Sequence, residues 1–175
     1  MTDDIMPKNK MTTLLLWLQA AALLAGNYVG WTTIFKEARA YCDQFDGSLW
    51  RLTDFSGTVT GNPLLTPCFW GSIVFVISLV WTLWILFAKS SEAVRTGVSR
   101  LWWLLLVGVI FAAANNVPIF YNFYTRPRGS FVSCSADLVT NPYLTSCFLG
   151  FSAFLAAFVF ATMTRHYLSR QTTPQ

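Results

Sequence analysis

The chain has 175 residues, of which 54% are hydrophobic and only 11% charged, with a net charge of +4. A soluble domain carries roughly 25% charged residues, so this chain lacks the polar skin a water-soluble core of its size requires. The composition points to lipid as the solvent, and the small positive charge is what an inner-face bias produces, giving no reason to invoke nucleic acid.

The first apolar run covers about 12–31 and follows Lys8 and Lys10. It imitates the basic and apolar regions of a secretory signal. A lipoprotein signal, however, would need Cys at position 27, where Asn27 stands. Three further runs follow, at about 69–88, 101–120 and 147–163, and none of the four contains Asp, Glu, Lys or Arg. Each approaches the ~20 residues needed to cross the ~30 Å hydrocarbon core. The expectation is an all-α membrane protein with four transmembrane helices.

Four spans put both termini on one side with the 89–100 loop. That side holds seven Lys or Arg in short segments (Lys8, Lys10, Lys89, Arg95, Arg100, Arg165, Arg170); the other holds five over longer loops. Basic density near helix ends predicts cytoplasmic termini in the plasma, or inner, membrane. All four cysteines, Cys42, Cys68, Cys134 and Cys147, fall on the predicted outer side, where disulfides persist.

Two strings set the internal organisation. Residues 62–72 read NPLLTPCFWGS and residues 141–152 read NPYLTSCFLGFS, so Asn, Pro, Leu, Thr, Cys, Phe and Gly recur 79 positions on. The Leu14–Gly30 and Trp102–Pro118 segments also correspond, pairing Asn27 with Asn115 at an offset of 88. The chain therefore reads as two parallel helix–loop–helix repeats. Residues 1–11 form an N-terminal tail and 12–88 the first hairpin, with outer loop 32–66. The 89–100 loop leads to the second hairpin, 101–167, with outer loop 121–143, and 168–175 form the C-terminal tail. The first run thus has a full partner and reads as a retained span.

Each outer loop holds one upstream cysteine and ends on the cysteine of the string. The economical pairing is Cys42–Cys68 and Cys134–Cys147, although four cysteines allow three connectivities. Each bridge would contribute roughly 3–3.5 kcal/mol by loop entropy. Within the string, Thr66 and Thr145 are placed as helix N-caps, and Pro67 suits the first helical position. Gly71 and Gly150 would permit close helix contact. The string reads as a duplicated helix entrance.

The same cysteines raise thiol–disulfide chemistry. In outline, a small four-helix membrane protein with outer-side cysteines resembles the bacterial quinone-coupled disulfide-forming proteins and the vitamin K epoxide reductase family. Those families use a Cys-x-x-Cys pair, whereas the spacings here are 26 and 13 residues. No catalytic residue carries across. His166 is the sole histidine, so bis-histidine haem and histidine-rich metal sites are excluded; neither a metal nor a cofactor is expected. A span without an acid offers no membrane carboxylate for proton coupling.

Among polar residues in the spans, Asn27, Asn115 and Asn116 could line an outward-opening pocket for a headgroup, quinone or small solute. Small residues at four-residue spacing (Ala22, Gly26, Gly30; Gly108, Ala112, Asn116; Ala153, Ala157, Ala161) mark packing faces. The second span is bulky, and its Phe75, Trp81, Trp84 and Phe87 are expected to face lipid or a partner. Loop 32–66 mixes aromatics with charges and is the expected contact face for a membrane or extracytoplasmic protein. The leading expectation is a non-enzymatic scaffold or accessory subunit. A thiol–disulfide or quinone oxidoreductase and a small-solute or lipid carrier are the alternatives.

Overall fold

The computed structural model describes residues 10–44, 64, 66–125, 131–132, 138–139 and 141–171. It contains four long helices: α1 (Lys10–Gln44), α2 (Pro67–Phe87), α3 (Ser91–Thr125) and α4 (Ser146–Arg170). All four are long and apolar enough to cross a membrane, the first over Lys10–Lys36. Between α3 and α4 lie a two-residue antiparallel pair, β1 (Phe131–Val132) with β2 (Leu138–Val139), and a 3-10 turn at Pro142–Leu144.

The helices pack up-and-down in a ring. Chain neighbours pack together, α4 closes back onto α1, and α2 meets α4 across the diagonal at fewer points. Both α1 and α3 run 35 residues, about 52 Å at 1.5 Å per residue, and so overrun the hydrocarbon. This extends the sequence-based boundaries. Residues 32–44 of the expected outer loop continue α1, and 91–100 of the expected inner loop are the first turns of α3, leaving only 88–90 as a connection. Neither extension contains a proline, so the backbone hydrogen-bond ladder of each helix runs on uninterrupted there.

Pro118 sits inside α3 and denies the helix one amide donor. The helix nonetheless continues seven residues further. Just before the proline, Asn115 and Asn116 turn back to donate their Nδ2 to the Phe111 and Ala112 carbonyls, both at 2.8 Å.

The apolar core lies toward the end where both termini sit. There Leu16, Ile85, Val98, Leu101 and Leu105 are buried in one cluster. At mid-bundle Phe75 stacks on Phe154 with ring centroids 3.8 Å apart and planes 18° from parallel. Phe75 is only 3% exposed, so the expectation that it faces lipid is corrected; Trp84 and Phe87 on the same helix do face outward.

Glycine decides how close the helices come. A side chain at Gly26 would meet the Phe75 ring, and one at Gly30 would meet the Ser72 hydroxyl. At Gly108 a Cβ would lie 2.8 Å from the Phe154 ring. These are members of the small-residue stripes, performing the job expected of them. Gly71 and Gly150 are different: a Cβ at Gly71 meets nothing within 4 Å, and one at Gly150 meets only Phe75 at 3.9 Å. The expected close-contact role is corrected for Gly71, which faces open space, while Gly150 has only ordinary contact distance to Phe75.

Candidate functional site

The two helix entrances form as their residue types dictate. Thr66 caps α2, its hydroxyl accepting from the Phe69 amide at 3.3 Å, and Pro67 occupies the first turn, where no amide hydrogen is needed. Thr145 caps α4 in the same way, accepting from the Phe148 amide at 3.2 Å and donating to the Pro142 carbonyl at 2.8 Å. Each cap fixes the next turn, and with it the cysteine two residues on.

The consequence lies across the diagonal. The Sγ atoms of Cys68 and Cys147 sit 3.9 Å apart. This separation exceeds the ~2.05 Å of a disulfide bond but is close contact for two sulfurs. Both cysteines stand in the first turn of a helix. The side chain of Cys42, in the last turn of α1, and the whole of Cys134 lie outside the described residues, so the expected pairings are not tested there.

Below the sulfurs is a cavity of about 50 Å³. Its floor is the Phe75–Phe154 stack and its mouth the cysteine pair, seven residues or roughly 10 Å higher along each helix. Gly71 and Gly150 leave the space open on either side. Asn115 and Asn116 line it; Asn27 is absent from the lining. Asn27 is 8% exposed and donates to the Leu23 carbonyl at 3.0 Å, remaining within its own helix.

Asn116 is the polar centre of the cavity. Its Nδ2 donates to both the Ala112 carbonyl at 2.8 Å and the Cys147 carbonyl at 3.1 Å, tying α3 to the entrance of α4. Two carbonyl acceptors fix the amide orientation, because the flipped form would set oxygen against oxygen. The Oδ1 is consequently buried with no hydrogen-bond partner. A cavity of this size has room for water at that oxygen.

Other polar side chains join helices directly. Gln19 Nε2 donates to Thr82 Oγ1 at 3.0 Å, linking α1 to α2 in the buried bundle, and Thr82 donates on to the Ser78 carbonyl at 2.8 Å. The hydroxyls of Thr33 and Ser146 lie 2.7 Å apart between α1 and α4. Trp102 Nε1 donates to Thr162 Oγ1 at 2.9 Å between α3 and α4, with the Arg165 guanidinium 4.9 Å over the indole. Among the described residues no group of three or more His, Cys, Asp or Glu side chains could hold a metal.

Sequence reasoning missed the Cys68–Cys147 contact, although a signal existed. Positions that match at a single offset are the ones able to meet on an axis relating two halves, and 68 and 147 match at 79. It also missed the Thr33–Ser146 contact, for which no local pattern exists. No family model, curated protein or solved structure matches the chain.

Proposed function

We propose that this chain is a non-catalytic accessory or scaffold protein of the plasma membrane with both termini cytoplasmic. Its two parallel hairpin repeats carry outer loops closed by Cys42–Cys68 and Cys134–Cys147, and the 32–66 segment is the contact face for a partner. The observation that carries this reading is how the interior spends its polar groups. Gln19 is committed to Thr82, Asn116 to the Cys147 carbonyl, and Thr33 meets Ser146, leaving about 50 Å³ in the cavity below Cys68 and Cys147. Small-molecule sites usually occupy ≈ 300–1,000 Å³. Interior bonds of this kind hold helix ends in place, and with them the loops, which weighs against a carrier that uses the Asn115–Asn116 cavity.

Duplication has its own support. Phe75 with Phe154, Cys68 with Cys147 and Thr66 with Thr145 are each 79 positions apart, and the first two pairs face each other. The glycines that receive the two phenylalanine rings, Gly26 and Gly108, are 82 apart, and α1 and α3 begin 81 apart with equal length. This register differs from the offset of 88 suggested by the asparagines. Asn27 and Asn115 accordingly stand at different depths relative to the stacked rings.

Thiol–disulfide exchange is the second reading, favoured by the 3.9 Å between Cys68 and Cys147. In that reaction the Cys68 thiolate attacks the Cys147 sulfur of a Cys134–Cys147 bridge. The Cys68–Cys147 bond forms, Cys134 leaves as thiolate, and no net oxidation occurs. Thiol trapping in cells separates the readings. Scaffold function predicts fully oxidised cysteines and, for Cys42→Ser with Cys68→Ser, lower abundance with no trapped partner. A mixed disulfide with a soluble protein would replace the scaffold reading by exchange.

A further inference from the structure

Between α2 and α3 the packing opens into a groove of about 890 Å³, at the end of the bundle that carries both termini. Contact between the helices is made where Gly97 meets Ile85 and Trp84, and the groove lies to the outside of this contact. Its wall is formed by Val76, Ile77, Val80 and Trp84, which are 38%, 47%, 62% and 56% exposed. Its rim, formed by Ser90, Thr96 and Arg100, is polar and exposed.

The two halves differ in depth as the two halves of a bilayer leaflet do. Arg100 is the last charged residue before the uninterrupted apolar stretch of α3 that begins at Leu101. Trp81 and Trp84 line the same groove, and Trp102 and Trp103 follow Arg100 in the chain; tryptophan is the residue type that marks the headgroup level. Val80, Ile77 and Val76 then descend from that level into hydrocarbon. Among the described residues no carboxylate pairs with Arg100: Glu92, the carboxylate in the groove, lies eight residues earlier on the same helix, about 12 Å along its axis. Lys89 and Arg95 add to the positive charge of the same short segment. Basic pockets between membrane helices recognise anionic headgroups.

We propose that this groove binds one anionic phospholipid, its phosphate on Arg100 and an acyl chain along Val80, Ile77 and Val76. The proposal is independent of the cysteines and of the scaffold reading. It is tested by native mass spectrometry of the full chain in mild detergent with dioleoyl phosphatidylglycerol or dioleoyl phosphatidylcholine. The wild type retains one phosphatidylglycerol per chain, about fivefold more readily than phosphatidylcholine, the preference one interfacial arginine supplies. Arg100→Gln brings the anionic lipid down to the level of the zwitterionic one, and Arg100→Lys keeps the preference. Arg165→Gln, a change at the same end of the bundle but on α4, leaves it intact. Equal retention of the two lipids by the wild type overturns the proposal, as does an equal loss in Arg165→Gln. Displacement of the lipid by millimolar inorganic phosphate overturns it too, since a free-anion site would make no use of the apolar wall.

Discussion

Phe75 of α2 and Phe154 of α4 stack face to face at 3.8 Å across the diagonal of the bundle, each ring seated on a glycine of the preceding helix. The stack closes the floor of the small cavity and separates it from the core beyond. Replacing either ring by alanine is expected to cost about 3–5 kcal/mol, the range for a large buried aromatic. The two losses should not add, because the partners touch. Unfolding of Phe75→Ala, Phe154→Ala and the double variant in mixed detergent micelles reads both quantities.

Glycine substitutions should sort by contact rather than by position in the repeated string. Gly26→Ala drives a methyl into the Phe75 ring and Gly108→Ala presses on Phe154, so each should lose about 1–3 kcal/mol through overpacking. Gly71→Ala meets nothing and should be neutral, or gain up to about 1 kcal/mol from helix propensity. Thermal unfolding of the three variants side by side checks the order.

The Gln19–Thr82 bond joins α1 to α2 in the buried interior. A double-mutant cycle with Gln19→Leu and Thr82→Val should return a coupling of about 0.6 kcal/mol and no more than about 1.7. A coupling near zero would mean that both side chains find other partners when one is removed.

The cap hydroxyls should matter at both helix entrances. Thr66→Ala and Thr145→Ala each remove the acceptor for a first-turn amide, at about 0.5–2 kcal/mol. Thr145 also donates to Pro142, so its loss should be the larger of the two. Thr145→Ser should restore most of it in the same unfolding assay.

Proximity of the sulfurs makes a further expectation concrete. In Cys42→Ser with Cys134→Ser, mild oxidation should join Cys68 to Cys147 within one chain, because 3.9 Å closes to a bond with a small shift of the helix ends. Peptide mapping under non-reducing conditions detects the bridge. Recovery of both thiols unreacted would show that the helix entrances stand further apart in the membrane.

The sequence by itself determined the number of spans and the manner in which two of them begin. Both depend on local physics: an uncharged run either covers the hydrocarbon thickness or does not, and a threonine before a first turn finds free amides whatever packs nearby. It could not determine which face of α2 is buried. Phe75 and Phe87 are the same residue on the same helix, and only the packing of α1 and α4 buries one and leaves the other exposed. Nor could it distinguish Gly26, pressed by a ring, from Gly71, facing a void. The contact of Cys68 with Cys147 depends on the angle between two hairpins 79 residues apart, and the groove beside Arg100 on how far α2 stands from α3. Such distances are set by every side chain in the interface together, so they first appear in the tertiary structure.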